Sequence, residues 1–443
     1  MTSSVSQQQA DLHISRGANI DTRSKGKGVR HPKIVIYLFL IFAGYMVLPL
    51  IDVPLLGLSL SAPIFFVIFT VTILRPQRVL FHASKEWIIF AVLIWTGIFI
   101  SAMANGLLSG GVNIDSDGIS LVIHYAYWLL VFVFTAYFAS QGNFLKRICV
   151  VLGWAVLILA LFRWMEVVLY GNYGAWSGTK LISQNTYGFL FSTFSPFLLL
   201  RILEGKGRKR VFALFANLTL WAAAAINGSR GSWVAIGVGL ALCLTILAIS
   251  RPGKFAGLAI AIIVIIGMAG AAWAVFPQVA ASVTDRFNSF QTLDQDKSYM
   301  IRQLMIQKGL RLFEQSPLIG VGASRFTKSS VPLDIPFVLS YASQTHFDVK
   351  SAHNSYLDFL AENGLVGAVP FGILLLTLAW GGLKSAFRSS RIGMYWMLAV
   401  FLSFTQMSIH MWSITSITNT ANWFIYGLVA AVIIAANRKE VPA

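Results

Sequence analysis

A histidine stands where the one long polar stretch of this chain, roughly residues 276 to 354, gives way to apolar sequence: His353, in Ser351-Ala352-His353-Asn354. Imidazole exchanges protons near neutrality, so a neutral histidine at such a border can take a proton from a hydroxyl nucleophile. It can equally orient a substrate, contact a phosphate as a cation, or be a hydrogen-bonded loop residue. Arg230 is the second candidate, in Asn227-Gly228-Ser229-Arg230-Gly231-Ser232-Trp233, a tight turn between two apolar runs that almost touch. Its planar fork of donors suits a phosphate or pyrophosphate better than a lysine would. The competing reading is an interfacial anchor that snorkels to lipid headgroups. His124, Arg163, Glu166, Asn185 and His410 fall on the same half of their apolar runs. An ionisable group at membrane depth is costly and therefore a candidate for function. Arg163 and Glu166, one helical turn apart, can also simply neutralise each other.

The elements that must position these groups are membrane helices. Over 443 residues the chain is 56% hydrophobic and 12% charged, with a mean hydropathy of +0.71, which excludes a soluble domain. Apolar runs of bilayer-crossing length fall near 34–50, 55–74, 86–104, 119–139, 147–170, 184–200, 211–227, 231–249, 255–275, 364–382, 392–411 and 418–436. The expected fold is an all-α polytopic helical membrane protein with about twelve transmembrane helices and one large external loop.

The formal charge of +17 reports topology and not a nucleic-acid partner. With the N-terminus in the cytoplasm, Lys and Arg concentrate on that side: Arg16 to Lys33, Arg75 to Lys85, Lys146-Arg147, Arg201 to Arg210, Arg251 to Lys254, Lys384 to Arg391 and Arg438-Lys439. This positive-inside bias places both termini in the cytoplasm. The expected organisation is a disordered basic tail over 1–33, spans one to nine over 34–275, the external loop over 276–363, three further spans over 364–436 and a cytoplasmic tail over 437–443. The first span reads as its own signal, with no cleavage site after it. Cys149 and Cys243 both lie inside spans, so neither suggests a disulfide.

The loop opens on a polar stretch, Val283 to Gln295. From Tyr299 to Gln315, Ile301, Leu304, Met305, Leu312 and Phe313 recur at spacings of three and four, which predicts an amphipathic helix carrying Arg302 near its first turn and lying on the top of the bundle. Pro317, Gly320 and Gly322 end it. Two Asp-x-Asp strings, Asp115-Ser116-Asp117 and Asp294-Gln295-Asp296, resemble metal-dependent transferase sites but lack a nucleotide-binding context, and read as solvated loop. Glu362 is a weak candidate partner for His353, because one straight helix would point the two apart. No Walker-type glycine loop, Gly-x-Ser-x-Gly elbow or His-Glu-x-x-His helix occurs.

Three strings together carry a resemblance. They are Asn227 to Trp233; Arg302 followed by Glu314-Gln315-Ser316-Pro317-Leu318-Ile319-Gly320-Val321-Gly322; and His353-Asn354-Ser355-Tyr356-Leu357 through Asn363-Gly364-Leu365-Val366-Gly367. In this order they resemble the O-antigen ligase and Wzy-type polysaccharide polymerase superfamily, from Asn185 to Gly367 by motif. The resemblance implies a GT-C-type, metal-independent, inverting glycosyltransferase without a cofactor, in a bacterial inner membrane. Its donor would be an undecaprenyl-pyrophosphate-linked glycan, and its acceptor lipid A-core for a ligase or a lipid-linked glycan for a polymerase. Membrane lipids and other polysaccharide-assembly proteins are the further partners expected. Arg230 and Arg302 match the family's phosphate-binding arginines and His353 its essential histidine, with Asn354, Arg163, Glu166 and Asn185 as supporting residues. The motifs do not separate ligase from polymerase; the complete histidine pattern and the arginine pair favour a ligase. A transporter or an inactive assembly scaffold are the alternatives from other classes.

Overall fold

A computed structural model describes residues 33–48, 61–73, 85–108, 116–141, 143–170, 182–275, 277–288, 290–291, 296–339 and 344–437. The N-terminal tail, the C-terminal tail beyond Asn437, Asp115, Asp294 and Gln295 lie outside these residues. Among the described residues the protein is all-α, and every predicted apolar run coincides with a helix. In chain order these are α1 (Lys33–Tyr45), α2 (Ser61–Ile73), α3 (Lys85–Leu108), α4 (Ser116–Ala139), α5 (Phe144–Tyr170), α6 (Gln184–Glu204), α7 (Arg208–Asn227), α8 (Arg230–Ser250) and α9 (Pro252–Val275). The polar stretch contributes α10 (Pro277–Asn288), α11 (Lys297–Gln315) and α12 (Gln344–Asp348), before α13 (Ser355–Ile392), α14 (Tyr395–His410) and α15 (Thr420–Asn437). Nine of the described helices are long and apolar enough to cross a membrane. The shorter α1, α2 and α14 have 13, 13 and 16 residues.

The bundle is organised around α6, the most enclosed span, whereas α9 faces outward over most of its surface. Lipid gives apolar side chains no reason to prefer each other, so polar contacts and close packing must join helices there. Between α6 and α14 that seam is explicit. Ser195 Oγ donates to Gln406 Oε1 at 2.9 Å, Ser403 Oγ donates to the Thr193 carbonyl at 2.5 Å, and Ser192 Oγ meets His410 Nδ1 at 2.9 Å. An aromatic cluster of Tyr125, Phe359, Phe371, Trp423 and Tyr426 joins α4, α13 and α15 at ring separations of 4.9 to 6.3 Å.

One expected element and one departure from the sequence expectation shape the functional end. The predicted amphipathic helix is α11, and its buried Leu304, Met305 and Leu312 pack it onto α13, with Phe326, Leu339 and Phe347 completing a small second core. The helix that opens into the membrane starts at Ser355 and not near residue 364, because Asn354 caps it: its side chain accepts the N–H groups of Tyr356 and Leu357, both at 3.1 Å. The run from 364 is the second part of that helix, beyond a break at Gly364 (φ 56°, ψ −162°), a conformation that only glycine adopts readily.

The break is locked to the segment after α11. Val321 and Gly322 donate to the Ala361 and Glu362 carbonyls at 2.9 Å, and Leu365 and Val366 donate to Pro317 and Leu318 at 2.9 and 3.0 Å. A Cβ on Gly320 would stand 2.4 Å from the backbone of Glu362, and one on Gly364 would stand 2.4 Å from the nitrogen of Gly320. Much of the glycine pattern in two of the three strings therefore serves backbone docking.

Candidate active site

Arg230 opens α8. The preceding α7 ends on Gly228 in the left-handed conformation (φ 68°), which turns the chain within two residues and leaves Arg230 only 8% exposed. A guanidinium so enclosed needs a counter-charge, and Asp296 supplies one: Nη1 stands 2.8 Å from Asp296 Oδ2. The same carboxylate caps α11, accepting the Tyr299 N–H at 3.1 Å. Burial alone would raise the Asp296 carboxyl. The hydrogen bonds from Arg230 and from the α11 backbone outweigh this and hold it below the usual carboxylate range. The expectation that Asp296 belongs to a solvated loop is thus overturned; it is a helix cap and an ion-pair partner. Asp117, from the other Asp-x-Asp string, pairs with Lys328 at 2.6 Å on the surface.

Arg302 follows on the second turn of α11, held within electrostatic reach of Arg230. Burial and then Arg230 push its guanidinium below its usual range, with Arg286 adding to that effect and Asp296 opposing it. Arg286 is a third arginine that the sequence reading passed over. It comes from the last turn of α10, donates from Nε to the Gly228 carbonyl at 3.0 Å, and is likewise lowered by burial and by Arg230. Phe290 lies 5.9 Å from the Arg230 guanidinium. Among the described residues, three guanidiniums thus gather around the Asp296 carboxylate.

His353 sits immediately before the Asn354 cap with φ 50°, one of two non-glycine residues among those described with a left-handed backbone. Such a conformation costs on the order of 1–3 kcal/mol and needs surroundings that enforce it. Burial, then Arg302, then Lys350 push its pKa below the ordinary imidazole value, which keeps the ring neutral at pH 7. Arg230 acts on Arg302 and Arg302 on His353, so the three sequence candidates lie in one electrostatic neighbourhood.

The other candidates have structural positions. Asn354 is the cap described above. Arg163 Nη1 and Glu166 Oε2 pair at 3.0 Å inside α5, both buried, with Tyr187 over the guanidinium at 5.5 Å. Asn185 is exposed in the first turn of α6; its neighbour Gln184 makes the connection instead, donating to the Asn227 carbonyl at 2.6 Å while Asn227 Nδ2 donates back to the Gln184 carbonyl at 2.9 Å. His410 is buried behind the Arg230 turn, with Nε2 3.3 Å from where a Cβ on Gly231 would lie. Glu362 accepts the Phe326 N–H at 3.0 Å and so fixes the loop after Gly322. His124 is bonded through Nδ1 to the Ser120 carbonyl at 2.7 Å. Among the described residues no group of three His, Cys, Asp or Glu side chains is placed to hold a metal ion.

The sequence carried usable signals for both missed residues. Asp296 stands directly before an amphipathic run, the position of an N-cap. Arg286 lies in the last turn of a short amphipathic stretch, Pro277–Asn288. No curated protein matches the chain. Residues 215–372, the segment that supplies Arg230, Arg286, Arg302 and His353, match the family model described as O-antigen ligase. Over this segment, somewhat more than a third of its length, the chain is similar to the O-antigen ligase family.

Proposed function

We propose that the protein transfers a glycan from a polyprenyl-pyrophosphate donor to an acceptor hydroxyl, as a metal-independent inverting glycosyltransferase. Arg230, Arg286 and Arg302 receive the pyrophosphate, whose charge grows as the bond between the anomeric carbon and the phosphate oxygen breaks. Stabilising that charge is the main demand, since pyrophosphate leaves without being protonated. His353, neutral at pH 7, takes the proton of the acceptor hydroxyl as its oxygen attacks the anomeric carbon from the opposite face. The observation that carries this reading is the gathering of Arg230, Arg286 and Arg302 around Asp296, with His353 in electrostatic reach of Arg302.

A ligase acting on lipid A-core is the preferred form, supported by the histidine string and by the description of the matching family. The experiment uses purified protein with a lipid-linked glycan donor: Arg230→Gln, Arg286→Gln and Arg302→Gln should each lower transfer by about 100-fold or more, while folding is retained. Transfer to lipid A-core by the wild type supports the ligase. Elongation of a lipid-linked repeat supports a polymerase, and undiminished transfer by all three variants would remove the arginine site.

A further inference from the structure

At the end of the bundle opposite Arg230, a second cationic cavity has no part in this chemistry. α8 runs 21 residues from Arg230 to Ser250, about 30 Å along its axis. There a cavity of about 440 Å³ opens between the end of α6, the start of α7 and the α8–α9 turn. Arg210, Arg251 and Lys254 line it together with apolar Ile202, Leu203 and Leu258, and among the described residues no acidic side chain is in its wall.

Each cation is tethered by backbone, and among the described residues none of the three forms an ion pair with a carboxylate. Arg251 donates from Nε and Nη2 to the Arg391 carbonyl at 2.9 and 2.5 Å, Lys254 Nζ to the Leu203 carbonyl at 2.8 Å, and Arg210 Nη2 to the Gly257 carbonyl at 2.9 Å. Carbonyls fix where the charges sit but do not cancel them. Three positive charges around an empty volume form a receptor for an anion. The apolar part of the wall distinguishes an amphiphile from a free ion. The face of α9 turned away from Leu258 is apolar and exposed, with Ile260, Ile263 and Val264 along it. Positive-inside bias places this end at the cytoplasmic leaflet, where anionic lipids face basic pockets between helices.

We propose that this cavity binds the phosphate headgroup of an anionic phospholipid whose acyl chains lie along α9. The lipid would tether α9, the least enclosed long span, to α6 and α7. Since α10 follows α9 directly and carries Arg286, the tether also steadies one wall of the arginine site.

The test measures binding of phosphatidylglycerol to delipidated protein in neutral detergent by native mass spectrometry, with phosphatidylcholine and inorganic phosphate as separate arms. Selective retention of phosphatidylglycerol is expected, about fivefold weaker for each cation replaced and about a hundredfold weaker in the Arg210→Gln/Arg251→Gln/Lys254→Gln variant. Gly253→Leu tests the same volume with the charges kept: a Cβ there meets nothing within 4 Å, so the side chain enters open space and should also weaken retention. Equal retention by the wild type and Gly253→Leu, equal binding of phosphatidylcholine, or binding of inorganic phosphate as tight as that of the lipid would each overturn the proposal.

Discussion

Replacing His353 separates catalysis from backbone geometry, because its left-handed φ of 50° makes each substitution act differently on the two. Alanine keeps the conformational cost that histidine bears, asparagine tolerates it better, and glycine relieves it by about 1–2 kcal/mol. All three remove the imidazole. A positioned base contributes about 10²- to 10⁴-fold, so transfer should fall by that factor in every variant, equivalent to about 3–5 kcal/mol in the barrier. Thermal stability should instead follow the order glycine above asparagine above alanine. The assay pairs single-turnover transfer from a lipid-linked donor with melting in detergent. Asparagine or glycine variants within about threefold of wild-type rate would refute the base assignment, and activity that rose and fell with melting temperature would reduce His353 to a folding residue. The pH profile adds a sign. A depressed pKa keeps the base form dominant through neutrality, so the rate should hold as pH falls through the ordinary imidazole value of about 6.5 and decline only below it. By linkage, any stability contributed by keeping this ring neutral is present above that value and lost in acid.

Lys350 also depresses His353, so Lys350→Met should move the acid limb of the rate profile upward in pH and leave the plateau rate nearly unchanged. Asp296→Asn keeps a capping side chain but removes the charge beside Arg230; a loss of about 2–4 kcal/mol in unfolding free energy is expected, and Asp296→Ala should cost about 1 kcal/mol more for the missing cap. Gly364→Ala places a Cβ 2.4 Å from the Gly320 nitrogen in a glycine-only conformation, so it should destabilise the protein by about 3 kcal/mol or more, read as earlier melting and protease cleavage after α11.

The legible part of this protein was what local sequence carries. Apolar runs marked the helices, the three-and-four spacing from Tyr299 marked α11, and a charged residue in a tight glycine turn marked Arg230. What escaped was pairing across long separations. Nothing near Arg230 in sequence announces Asp296, and nothing near Phe326 announces Glu362, whose carboxylate reaches it only because the chain breaks at Gly364. No single helix joins His353 to Glu362: His353 lies outside the helix, and Glu362 has a structural partner of its own. Asn185 was chosen for its polarity alone, whereas Gln184 beside it faces the Asn227 turn.

The Arg230–Asp296 pair has a consequence for which ligands the cluster accepts. With one carboxylate already in place, an incoming anion must compete with it. A singly charged anion that displaces Asp296 from Arg230 exchanges one negative charge for another and gains little, while a more highly charged group brings more charge to the arginines than the carboxylate it replaces. On the proposed function, the ion pair therefore holds the cluster together at rest and favours a diphosphate over chloride or acetate as the group that replaces Asp296.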